Sequence, residues 1–112
     1  MNIIILCMLT NRTSKSNRYI KGGEMTDLDL KKIYNISASM GDEFIRAVNK
    51  YGFPCFNSYH EGYAVIKEEL DELWEEVKKY PKQDNDNLKK EATQIGAMAL
   101  RFIYDLLQKE SK

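Results

Sequence analysis

The chain has 112 residues, room for one small domain, with 43% hydrophobic and 30% charged positions, an ordinary balance for a soluble globular protein. Its 17 basic and 17 acidic residues cancel, which removes the electrostatic footprint of a nucleic-acid binder. The two cysteines, Cys7 and Cys55, belong to no C-x-x-C and no Cys/His cluster, so reduced cytoplasmic thiols are expected in place of a zinc site or a disulfide framework.

The first apolar run, IIILCML at 3–9, is too short to span a bilayer and lacks the flanks of a signal peptide, so no membrane partner is expected. Residues 10–24 are polar and carry no sustained period, as a loop or disordered segment does. The stretch KGGE before Met25 can be encoded by a purine-rich run resembling a bacterial ribosome-binding site ahead of a start codon. Residues 1–25 are therefore expected to be a flexible or non-native N-terminal extension, and residues 26–112 the helical domain.

From Asp27 onward the pattern is helical. Leu30, Ile33, Tyr34, Met40, Phe44, Ile45 and Val48 recur near a 3.6-residue period, and Gly52 and Pro54 end the run. Thr26 or Asp27 is the expected N-cap. Ser58-Tyr59-His60-Glu61 has the form of a capping box, which predicts a second helix from about Tyr59 to Tyr80, stopped by Pro81. After a polar turn at 82–87, the stripe Leu88, Ala92, Ile95, Ala99, Phe102, Ile103 and Leu106 predicts a third helix from about Leu88 to Gln108. The only strand-like window is a weak one at 2–9. The expected fold is all-α, an antiparallel bundle of about three main helices completed by oligomerisation, because so short a helical chain often gains burial by pairing with another copy.

The stretch KEELDELWEE at 67–76 concentrates acid: Glu68, Glu69, Asp71, Glu72, Glu75 and Glu76. On a helical wheel Tyr63, Ile66, Leu70, Leu73, Trp74 and Val77 gather on one side. Glu69, Glu72 and Glu76 border that side, where like charges at i, i+3 and i+4 repel and are partly desolvated. Across an antiparallel pair, Glu91 and Gln94 of the third helix would converge with Glu69 and Glu72. Oxygen ligands on rigid helices suit Mg²⁺ or Mn²⁺. An E-x-x-E taken alone is more often a solvated helix face.

E-x-x-E on one helix followed by E-x-x-D on the next resembles the MazG-like all-α nucleoside triphosphate pyrophosphohydrolases. Here Glu69-Leu70-Asp71-Glu72 matches the first half, Glu68 completes an E-E-x-x-E form, and Glu91-Ala92-Thr93-Gln94 stands where the second half belongs. The strings HEGYAVIKEELDELWEEVKK and EATQIGAMALRF are similar to small MazG-like proteins of phages and bacteria, and the resemblance covers roughly residues 54–107. Gln94 departs from the pattern, which has Asp there. The resemblance implies hydrolysis of a nucleoside triphosphate to the monophosphate and pyrophosphate, with Glu69, Glu72, Glu91 and Gln94 on Mg²⁺ or Mn²⁺. Glu68 would be a further ligand or the base that orients water, Lys89, Lys90 and Arg101 would reach substrate phosphates, and the protein would be a homo-oligomer. The alternative, which Gln94 favours, is a catalytically weakened module that binds nucleotide, metal or a protein partner. His60, Cys55 and Trp74 read as a surface or capping group, a small apolar residue and a core or interface residue respectively.

Overall fold

The computed structural model describes residues 24–52 and 54–111, so the expected N-terminal extension lies almost wholly outside the described residues. Three helices follow in order: α1 (Asp27–Tyr51), α2 (Tyr59–Val77) and α3 (Asn85–Glu110), with no strand among the described residues. The all-α expectation holds. The chain divides within α1 into two compact units, Met1–Ile36 and Ser37–Lys112.

In the first unit the start of α1 is fixed locally. Thr26 Oγ1 accepts the Asp29 backbone N–H at 3.1 Å, and Asp29 Oδ2 accepts the Thr26 backbone N–H at 3.2 Å. This reciprocal cap makes Thr26, not Asp27, the N-cap and satisfies two orphan donors. The Thr26 hydroxyl also donates to Asp29 Oδ2 at 2.8 Å, and this bond, then the one from the Thr26 backbone, holds the Asp29 carboxyl below its ordinary value.

The second unit carries the rest of α1 and the α2–α3 pair. Gly52 ends α1 at φ 92, a left-handed backbone that glycine adopts without Cβ strain, and its N–H bonds the Val48 carbonyl at 2.7 Å. Ser58 caps α2 as its sequence foretold, accepting the Glu61 N–H at 3.0 Å. The Glu61 carboxylate, however, reaches one residue further back than a capping box requires. It accepts from the backbone N–H of Asn57 at 3.2 Å and from its Nδ2 at 2.8 Å.

Both facing helix ends differ from expectation by three residues. α2 stops at Val77 because the chain tightens into turns before Pro81: Lys79 N–H bonds the Glu76 carbonyl at 3.2 Å and Tyr80 N–H the Val77 carbonyl at 3.1 Å. Proline disfavours the α conformation in the residue before it, so the helix unwinds ahead of it. α3 starts at Asn85 and not Leu88, since Asp84 Oδ1 accepts the N–H groups of Asp86 at 2.9 Å and Asn87 at 3.3 Å. A polar first turn is invisible to apolar periodicity; only the cap marks it.

α2 and α3 run antiparallel. The Tyr59 ring, at the start of α2, meets Phe102 and the Lys109 ammonium at the end of α3. Their close approach rests on Gly62, where an added Cβ would lie 2.6 Å from Phe102 Cδ2. At Gly96 an added Cβ would collide with the Met40 side chain of α1. Among the described residues the covered apolar core is small: Ala47, Phe56, Ala97 and Met98.

The apolar side of α2 divides in two. Ile66 and Leu73 are half-covered, whereas Tyr63, Leu70, Trp74 and Val77 face solvent, with Trp74 57% exposed. Glu69 and Glu76 are half-covered with Ile66 and Leu73, so they sit closer to the packed face than a border position would put them. Among the described residues no helix is long and apolar enough to cross a membrane.

Candidate functional site

One residue at each of three helical positions builds the centre of the site. Glu69 and Glu72 project from successive turns of α2, and Glu91 projects from α3 opposite them. One carboxylate oxygen from each lies within 4.8 Å of the others. Three negative charges at that spacing repel strongly, and the effect on their protonation is large. Burial, then the neighbouring Glu72, Glu91 and Glu68 carboxylates, push the Glu69 pKa from 4.5 up to about 7. Burial and Glu72 raise Glu91 as well, with Lys90 opposing the shift. Glu76 adds to the field on Glu91. One Glu76 oxygen pairs with the Lys79 ammonium at 2.9 Å while the other is buried without a hydrogen-bond partner.

Such a donor set fits a hard divalent cation. All three ligand atoms are carboxylate oxygens, they come from rigid helices, and a cation would relieve the repulsion that now raises Glu69. The trio lines a cleft of about 400 Å³, and three cationic side chains, Arg46, Lys90 and Arg101, line the same cleft. Carboxylates and cationic side chains therefore share the walls of one small volume.

No family model, curated protein or solved structure matches this chain.

The remaining sequence candidates fall at distinct places. Glu68 is exposed and outside the trio, though near enough to Glu69 to raise its pKa. Lys90 lines the cleft. Lys89 is exposed and is not among the cleft's lining residues; its backbone carbonyl accepts from Thr93 Oγ1 at 2.7 Å. Gln94 lines the cleft beside the trio and donates its Nε2 to Glu43 Oε1 at 2.7 Å.

That last contact brings in residues the sequence reading left out. Glu43 and Arg46 stand on α1, outside the region carrying the motif. Arg46 grips Glu43 with two donors, Nε to Oε2 at 2.9 Å and Nη2 to Oε1. Arg46, then Gln94 and Lys90, hold the Glu43 carboxyl below its ordinary range. The pairing across 51 residues has no local signature; the i, i+3 spacing of Glu43 and Arg46 was the only available hint.

Arg101, on the next turns of α3, is fixed differently. Its Nε donates to the Pro54 carbonyl at 2.9 Å and its guanidinium lies 4.1 Å from the Phe56 ring centre. It ties the α1–α2 connection to α3 while keeping its charge at the cleft. Further along α3, Asp105 is 1% exposed and pairs with the Lys109 ammonium at 2.9 Å. That hydrogen bond holds the Asp105 carboxyl below its ordinary range, with a smaller contribution from the Cys55 thiol.

Proposed function

We propose that this cleft hydrolyses a nucleoside triphosphate, ribo- or deoxyribo-, to the monophosphate and pyrophosphate. The observation that carries the reading is the meeting of Glu69, Glu72 and Glu91 in one cleft with Arg46, Lys90 and Arg101. A polyphosphate chain with its divalent cation is the substrate class whose charges complement both sets. Glu69, Glu72 and Glu91 would hold Mg²⁺ or Mn²⁺, and Gln94 would add a neutral oxygen. When bound, the cation neutralises phosphate oxygens and lowers the pKa of water. Glu68, exposed beside Glu69, would orient the attacking water, and Lys90 and Arg101 would neutralise charge on the phosphates. The expected setting is the cytoplasm.

The test is pyrophosphate release from a panel of nucleoside triphosphates and deoxynucleoside triphosphates with Mg²⁺ or Mn²⁺. Release that stops on chelation is the expected result. No release from any substrate, with a melting temperature indifferent to metal, removes the reading. Gln94 favours a second one, a module that binds without turnover, because the amide brings no charge. Metal-dependent stabilisation without product would select it.

Self-association belongs to the same proposal. Tyr63, Leu70, Trp74 and Val77 form one exposed apolar stripe along α2, suited to a second copy. Light scattering is expected to give a multiple of 13.1 kDa. Trp74→Lys is expected to shift the mass toward one chain. A monomeric wild type would contradict this.

A further inference from the structure

The carboxamide at Gln94 has a structural reason. It faces Glu43 of α1, and a carboxylate in its place would set two negative charges 2.7 Å apart. An amide donates a hydrogen bond there instead. A side-chain amide that gives its N–H to Glu43 keeps its oxygen as the end available to a cation. The Arg46 guanidinium, holding Glu43 with two donors, fixes the orientation of that carboxylate and hence of the amide. Glu43 and Gln94 both line the cleft of the carboxylate trio. The carboxylate absent from position 94 thus has a counterpart on the neighbouring helix, paired there with Arg46.

We infer that Glu43 is a positioning residue of this site: the chain Arg46–Glu43–Gln94 presents the Gln94 amide oxygen to a cation held by Glu69, Glu72 and Glu91, and the Glu43 carboxylate supplies the charge that position 94 lacks. The inference rests on the carboxylate trio being a cation site. It makes α1 part of the binding apparatus, so the site draws on all three helices.

Mn²⁺ titration followed by electron paramagnetic resonance, with melting curves in chelator, tests this on the full chain. Glu43→Gln keeps one oxygen to accept from the Gln94 amide, removes the charge and gives up the second bond to Arg46. It is expected to weaken Mn²⁺ binding about tenfold, the range found for groups that orient metal ligands. Gln94→Glu alone is expected to lower the melting temperature in chelator, through its opposition to Glu43. The double variant Glu43→Gln/Gln94→Glu exchanges the roles of the two side chains, and both Mn²⁺ affinity and melting temperature are expected to return close to wild type. Glu43→Gln with wild-type Mn²⁺ affinity overturns the inference and leaves the cation site standing. So does a double variant that recovers its melting temperature but not its affinity, for the contact is then only structural. A wild-type chain that does not bind Mn²⁺ at all overturns the site reading and the inference together.

Discussion

Glu69→Gln is expected to stabilise the protein without metal and to disable it with metal. The first effect follows from charge crowding. Glu69 is ionised at pH 8 against burial and the carboxylates of Glu72, Glu91 and Glu68, which is why its pKa stands near 7 and not at 4.5. A neutral amide of the same shape removes that cost. Each pKa unit corresponds to about 1.4 kcal/mol, but Glu69 is only part-covered, and solvent screening brings the gain to about 1 kcal/mol. In a domain of this size that raises the melting temperature by about 4–8 °C. The second effect has the opposite sign. Removing one of three converging carboxylates is expected to lower divalent-cation affinity by about 100-fold or more, with pyrophosphate release falling at least as far. Differential scanning fluorimetry in chelator and in Mg²⁺, beside the release assay, reads both. A solvated helix face predicts neither change. A Glu69→Gln variant that is more stable yet still binds cation as wild type would leave the trio a coincidence of packing.

That opposition of stability and function is legible only in part from the sequence. Helix existence was readable, since Leu30, Ile33, Met40 and Phe44, or Phe102 and Leu106, repeat at a period no strand can use, and Ser58 and Pro81 act through bonds within four residues of themselves. The convergence of Glu69, Glu72 and Glu91 was readable too, because an antiparallel pair brings i, i+3 positions on one helix opposite a single position on the next. Periodicity could not tell which part of an apolar side is covered. Tyr63, Leu70, Trp74 and Val77 share a side with Ile66 and Leu73, yet only the latter are half-covered. Which part is covered depends on where α3 lies against α2, and at Gly62 the lack of a Cβ leaves room for the Phe102 ring. Nor could it find Glu43, because a hydrogen bond to Gln94 across 51 residues depends on where α1 lies against α3. The resemblance drew attention to Gln94 as a deficiency; its partner gives the amide a place to donate.

The pH dependence of stability is expected to reverse when a divalent cation is added. Without metal, the Glu69 carboxyl is ordinary in the unfolded chain and titrates near 7 in the fold. Below the unfolded value it is protonated in both states and contributes nothing. As pH rises from 4.5 toward 7 the unfolded chain ionises while the fold retains its proton, so stability falls, and the loss is complete above 7. After allowance for solvent screening it amounts to about 1 kcal/mol. Glu91, raised by the same causes, adds in the same direction. Asp105 and Glu43 act oppositely. Lys109 and Arg46 hold them below their ordinary values, so their support is present above the unfolded carboxylate range and disappears in acid. The metal-free protein is therefore expected to be most stable near about pH 5 and to soften toward pH 8. A divalent cation held by the trio would compete with the protons on Glu69 and Glu91 for the same oxygens. Its affinity rises with pH until Glu69 is fully ionised, so the melting temperature in Mg²⁺ is expected to climb from about pH 5.5 to 8 while the metal-free curve descends. Calorimetry in two buffers of different ionisation enthalpy is expected to show about one proton released per cation bound at about pH 6.5. Glu69→Gln should flatten the descent without metal and abolish most of the climb with it. Parallel curves, with and without Mg²⁺, would place the cation elsewhere and separate Glu69's raised pKa from any binding role.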